Sequence, residues 1–188
     1  LLKEIVVIGI PAGLQSGMYS GSNIVIQASV NTFGTDTIAA YTAYGKIDGI
    51  FWMIMGAFGV AITTFVGQNM GAKQIERVKK GINTCMFMGI GIVIAIGIPA
   101  YLFSDLCIRM FSQEADVIYY GSWMMRTLVP FYSILNIAQV LTGAVRGTGN
   151  TTVPMLINVF YYCIIRQVFL AVAMMFVNSI VVVFWSYP

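Results

Sequence analysis

The sequence predicts an all-α membrane protein, and three observations carry that prediction. Hydrophobic residues make up 59% of the 188 residues and charged residues only 9%, whereas soluble domains carry about 25% charged residues. Mean hydropathy is +0.84. The apolar residues fall in long runs divided by short polar stretches. A helical span needs about 20 apolar residues, so the chain has room for five spans and the start of another.

The first span covers residues 4–31, with Pro11 near its start, where the missing backbone donor can bend the helix. Two series of residues run through it at a spacing of four. Gly9, Gly13, Gly17 and Gly21 form one, and Gln15, Tyr19, Asn23, Gln27 and Asn31 form the other. Residues four apart share a helix face, and the two series lie on nearly opposite sides. In water each Gly costs about 1 kcal/mol against Ala. In a membrane, small residues admit a neighbouring helix and polar ones turn inward. The glycine face is therefore read as close packing. The amide face has two open readings: interhelical hydrogen bonds, or the wall of a substrate cavity.

A turn at Phe33-Gly34-Thr35-Asp36 leads to the second span, residues 37–70, with Thr35 or Asp36 as its N-cap. This span exceeds the bilayer thickness and must tilt or protrude. It carries Lys46 and Asp48, with glycine pairs at Gly45 and Gly49 and at Gly67 and Gly71. Either both charges are wet on a protruding end, or they are buried. The loop GAKQIERVKKG sets Lys73, Arg77, Lys79 and Lys80 against Glu76. It is short, lacks aromatics and adjoins two spans, so it reads as a topology signal and lipid headgroup contact rather than a nucleic-acid patch.

The third span, residues 82–103, is almost wholly apolar. SDLCIRMFSQEAD after it reads as a short interfacial segment. The fourth span, residues 117–145, is interrupted by Pro130 and holds Arg126 and the polar series Tyr132, Asn136, Gln139 and Thr142. Pro154 suits the first turn of the fifth span, residues 153–177, which contains Asn158 and Arg166. Asn178-Ser179 marks a turn, and a further span starts from residue 180. Because the chain starts at Leu1 and stops as that run begins, it is expected to be an internal fragment of a longer protein.

Charged residues inside a bilayer need partners or water. Arg166 is the deepest of them and the default functional candidate, and Asp48 is the one acid away from loops and termini that can partner it. Lys3, the basic loop and Arg146 alternate in side with Asp36 and the acidic segment 105–116. The positive-inside rule then puts the N-terminal end and the basic loops in the cytoplasm of a multi-pass cell-membrane protein. Histidine is absent, and Cys85, Cys107 and Cys163 are isolated. No metal spacing, catalytic dyad or disulfide framework is present, and no enzyme activity is expected.

The stretch GAFGVAITTFVGQNMGAKQIERVKKG, above all Gly67-Gln68-Asn69-Met70-Gly71-Ala72-Lys73, resembles the multidrug and toxic compound extrusion (MATE) family. GIPAGLQ, AAYTAYGKIDG and GAVRGTGNTTVP add to the likeness, which spans essentially the whole chain. The resemblance implies a twelve-span fold of two six-helix lobes, of which residues 1–188 form the C-terminal lobe, cut at the start of its last helix. The missing N-terminal lobe of the same chain would be its partner in the lipid bilayer. The implied activity is export of small organic molecules, in particular cations, coupled to H⁺ or Na⁺ through alternating access, with no cofactor beyond the coupling ion. Transporters of this kind bind substrate near the midplane. The expected substrate wall is Gln15, Tyr19, Asn23 and Gln27 with Tyr132, Asn136 and Gln139.

Two departures from the family pattern matter. Tyr19 and Asn136 stand where well-studied members carry a glutamate and an aspartate. Neither can exchange a proton near neutral pH. Proton coupling then falls to Asp48 or to the missing half, and the missing half is the preferred expectation. One alternative is a lipid-linked saccharide flippase of the same superfamily, for which Arg126 and Arg166 are few basic residues. Another is a non-transporting membrane scaffold, which would consume the amides in helix–helix bonds.

Overall fold

The computed structural model describes residues 2–176 and 185. The turn at 178–179, the end of the fifth span at 177 and the run from 180 lie outside these residues. The chain forms two compact units, Leu1–Gly34 with Gly149–Pro188, and Thr35–Thr148. Four helical stretches among the described residues are long and apolar enough to cross a membrane: Thr35–Gly71, Ile75–Leu102, Ala115–Gly147 and Thr152–Phe176. Their outward side chains are those of a lipid-facing surface, with Met53 75% and Phe87 70% exposed.

In the first unit, α1 (Leu2–Val30) is 29 residues long and ends in a 3₁₀ turn, Asn31–Phe33. It has the length of a span, but the amide series dilutes its apolar content. Its buried positions Ser22, Ile26 and Val30 repeat every four residues, and it packs against α7 (Thr152–Val159) and the π-helical turn Phe160–Ile165 that follows. Asn150 Oδ1 accepts the Val153 N–H at 3.1 Å at the start of α7. α8 (Arg166–Phe176) continues the same stretch.

The glycine face of α1 departs from expectation. A Cβ added at Gly9, Gly13, Gly17 or Gly21 meets nothing within 4 Å among the described residues, and the same holds at Gly45, Gly49 and Gly71. Among the described residues these glycines are not points of close helix approach, whereas Gly67, expected with Gly71, is: a Cβ there would lie 3.4 Å from the Gly147 carbonyl.

The close approach occurs in the second unit, between α2 (Thr35–Gly71) and α6 (Tyr132–Gly147). A Cβ at Gly143 would strike the Gly59 carbonyl, and one at Gly147 would lie 2.6 Å from the Thr63 carbonyl. Thr63 Oγ1 donates to Gly59 O at 2.7 Å and to Gly143 O at 2.9 Å, tying the two backbones together. Apolar burial gives little drive for association in lipid, so tight packing of small residues and such hydrogen bonds hold the pair. Ile62, Val66, Val78, Val140 and Ala144 fill the core beside this contact.

α3 (Ile75–Leu102) starts seven residues before the predicted span, so Arg77, Lys79 and Lys80 are helical rather than in a loop. α2 stops in a left-handed turn at Lys73, whose φ is 59°. Lys73 N donates to Met70 O and Gln74 N to Asn69 O, both at 2.9 Å. This paired pattern satisfies the last carbonyls of a helix and is usually built on Gly.

The interfacial segment is a short helix, α4 (Ser104–Arg109), and Pro130 divides the fourth span as expected. α5 (Ala115–Leu128) passes through a 3₁₀ turn, Val129–Phe131, into α6, because proline offers no N–H to the previous turn. Arg126 finds partners on α4: Nε donates to Ser104 Oγ at 2.8 Å and Nη2 to Asp105 Oδ2 at 3.1 Å. The Asp105 carboxyl is held below its usual range, first by the neighbouring Ser122 hydroxyl and then by Arg126. Ser122 Oγ makes no full hydrogen bond among the described residues, so the Arg126 contact is the better-formed of the two.

Candidate functional site

Each unit carries a charged residue buried among polar side chains, Asp48 in the second and Arg166 in the first. In the second unit the cluster is built on Asp48, which is 4% exposed in spite of its charge. Tyr44 lies one turn before it on α2, and Tyr132 is the first residue of α6, placed there by the break at Pro130. Tyr132 donates its hydroxyl to Asp48 Oδ1, and Tyr44 donates to the same oxygen at 3.3 Å. The two phenol oxygens are 2.6 Å apart. Phe51 stacks on the Tyr132 ring at 4.4 Å and 19°, fixing its orientation. A buried carboxylate is tolerated when hydrogen bonds satisfy it, and these hydroxyls supply them.

One turn further along α6 sits Asn136, fully buried, whose side-chain nitrogen and oxygen have no hydrogen-bond partner among the described residues. Gly89 of α3 makes the space for it, since a Cβ there would lie 2.5 Å from Asn136 Nδ2. Gln139, the third residue of this predicted set, is half-buried. Lys46 and Asp48 behave differently from each other. Lys46 is exposed and lines a cavity of about 420 Å³ with Thr42, Ser112 and Glu114, while Asp48 is buried.

In the first unit, Arg166 is 4% exposed and donates from Nη1 to Asn23 Oδ1 at 3.1 Å. Its guanidinium also lies 5.8 Å from the centre of the Tyr162 ring, within cation–π range. Tyr19 meets Tyr162 edge to face at 5.0 Å. The π turn presents the Tyr162 carbonyl sideways, and Ser22 Oγ donates to it at 2.9 Å. Gln167 Nε2 in turn donates to Ser22 Oγ at 2.7 Å. Local π turns are frequent at functional sites, and FYYCII carries no Gly or Pro to announce this one. Gln27 donates to Asn31 Oδ1 at 3.0 Å within α1's own face, and Gln15 is half-buried. Asn23 and Gln27 are thus engaged in hydrogen bonds within the first unit. Asp48 and Arg166, expected to pair, fall in different units, Asp48 beside Tyr44 and Tyr132 and Arg166 beside Asn23. Among the described residues no group of three or more His, Cys, Asp or Glu is placed to hold a metal ion.

Comparison with known proteins decides the family. The MatE family model matches residues 11–172. The chain belongs to the MatE family. Among MatE relatives, the probable multidrug resistance protein YpnP of Bacillus subtilis is 27% identical over 164 residues, which cover 87% of this chain and 37% of the relative. The probable multidrug resistance protein NorM of Thermotoga maritima is 27% identical over 156 residues, 83% of this chain and 34% of its own length. The chain therefore spans little more than a third of these relatives.

Two solved structures share the fold at a TM-score of 0.88 and 18% identity. One is an outward-facing multidrug resistance MATE transporter, of which the chain covers 41%. The other is a MOP superfamily transporter from Pyrococcus furiosus whose binding pocket is described as reversed in polarity, of which it covers 40%. The resemblance seen in Gly67–Lys73 and the neighbouring stretches is thereby confirmed, and the chain is a multi-pass, all-α membrane protein.

Proposed function

We propose that the full-length protein is a cation-coupled antiporter exporting organic, mainly cationic, compounds by alternating access, and that Asp48 is the group in this lobe that responds to the coupling ion. The observation that carries this is a buried acid whose oxygen accepts hydrogen bonds from two phenols. An arriving H⁺ or Na⁺ cancels the charge of such a carboxylate, and hydroxyl oxygens are hard donors suited to Na⁺. Burial at this site shifts preference from the missing half, favoured on sequence alone, to Asp48. The proposed substrate contacts keep Gln15, Tyr19, Asn23 and Gln27 of the first unit and Tyr132, Asn136 and Gln139 of the second; Tyr132 and Asn136 are buried in this structure and would serve only once alternating access opens them. The N-terminal end and the basic helix start would lie on the cytoplasmic side of the cell membrane. The N-terminal lobe would complete the transporter.

The scaffold reading has one observation in its favour, the engagement of Asn23 by Arg166. The flippase reading has lost support, because Arg126 is occupied by Ser104 and Asp105.

The test is efflux of a cationic dye from vesicles holding the full-length protein, under an imposed Na⁺ gradient and then an H⁺ gradient. Asp48→Asn should remove the gradient dependence at unchanged membrane abundance. Gradient-driven efflux that survives this substitution refutes the assignment of Asp48, and efflux indifferent to both gradients refutes cation coupling.

A further inference from the structure

A groove of about 470 Å³ runs along the surface between α2 and α3. Its lining on α3 follows one helix face, through Arg77, Gly81, Thr84 and Met88, and on α2 it includes Phe65 and Phe58. Two contacts fix the direction. The Phe65 ring packs where a Gly81 side chain would stand, and Cys85 Sγ approaches Phe58 O at 3.8 Å. Phe65 thus lies at the charged end and Phe58 further in, over a length of roughly 16 Å from residue 77 to 88 at 1.5 Å per residue.

The charges are placed at one end only. Arg77 and Lys80 both line the groove and are exposed. Glu76 is taken by Lys79 at 2.9 Å, and neither Arg77 nor Lys80 has an acidic partner among the described residues. Arg77 is steadied over the Phe65 ring at 5.9 Å and by Gln74 Oε1 at 3.3 Å. Among the described residues no acid lines the groove.

We propose that this groove holds one anionic phospholipid, with its phosphate against Arg77 and Lys80 and an acyl chain along Phe65, Phe58 and Met88. A cationic mouth above an apolar trough matches an amphiphile of that polarity. A zwitterionic lipid brings its own cation to the same mouth and gains less there. A soluble anion leaves the trough empty, and a purely apolar molecule leaves both cations unanswered.

The full-length protein, purified in a mild detergent, is mixed with equal amounts of phosphatidylglycerol and phosphatidylcholine of identical chains, and bound lipid is counted by native mass spectrometry. Wild type should retain one phosphatidylglycerol in clear preference. The Arg77→Gln/Lys80→Gln protein should lose roughly tenfold or more of that preference, given the usual pull of a cation near an anionic headgroup. Lys79→Gln should keep it. Ala61→Phe, which narrows the trough without touching a charge, should lower occupancy by both lipids. An unchanged preference in the double variant overturns the proposal, as does full occupancy in Ala61→Phe. Displacement of the lipid by glycerol 3-phosphate alone would also overturn it, by showing an anion site with no use for the trough. If the double variant does not fold, the two single substitutions are scored by the same ratio.

Discussion

At the scale of single residues, Asn136 and Gly89 form a lock that pairs an unsatisfied amide with the space left by a missing side chain. A buried amide without a partner costs about 1–3 kcal/mol, and here a glycine on α3 is what allows it to be buried at all. Gly89→Ala should therefore destabilise the protein by about 1–3 kcal/mol through overpacking. The same change should cost much less in an Asn136→Ala background. A double-mutant cycle on thermal unfolding in detergent measures this, and additive effects would show that the two residues do not share the space. Asp48 makes the complementary point. Its charge was visible in the sequence, but the choice between a wet and a buried acid was not, because Lys46 two residues away takes the opposite environment. The discriminating partners, Tyr44 and Tyr132, include one that is 84 residues distant.

At the scale of elements, helix existence was legible and helix contact was not. Apolar run lengths and Pro130 located the long helices and the break in the fourth span. Glycine spacing alone did not single out the contact, however, since Gly9 to Gly21 touch nothing among the described residues while Gly67 of α2 meets Gly147, and Gly143 and Gly147 press on α2. A four-residue glycine spacing states that close approach is possible and leaves open which helix uses it. The Thr63 hydroxyl is the polar half of that contact, and Thr63→Val keeps the shape while removing both bonds. It should lower stability by about 0.6–2 kcal/mol, the range for interhelical bonds in membranes, read as a reduced midpoint of thermal unfolding. The end of α2 gives the opposite sign. Lys73 holds a left-handed conformation that costs an L-residue roughly 1–2 kcal/mol. Lys73→Gly should raise the unfolding midpoint, and an unchanged or lower midpoint would show that the lysine side chain compensates the strain.

At the scale of the whole molecule, family membership and the all-α membrane fold could be read from GQNMGAK and the apolar composition, because both are local properties of the chain. The π turn at Phe160–Ile165 could not be read, since it is answered from another helix: Ser22, itself bonded by Gln167, donates to the displaced Tyr162 carbonyl. At the same scale, the energy source of the full-length protein is the expectation to measure. If Asp48 reports the ion, the preferred gradient, Na⁺ or H⁺, should be the one whose dye efflux Asp48→Asn abolishes.

The π turn has a consequence for how the fifth stretch tolerates change. Successive helical residues are about 100° apart, and the wide turn takes up one extra residue between α7 and α8 without adding that residue's rotation. It therefore sets the phase of everything after it. Deleting a single residue within 160–165 should let the helix close to ordinary α geometry and keep Arg166 facing Asn23, whereas straightening the turn at full length would swing Arg166 about 100° away. A one-residue deletion there removes the bulge and spares the face beyond it, whereas a substitution that straightens the turn redials the whole C-terminal face.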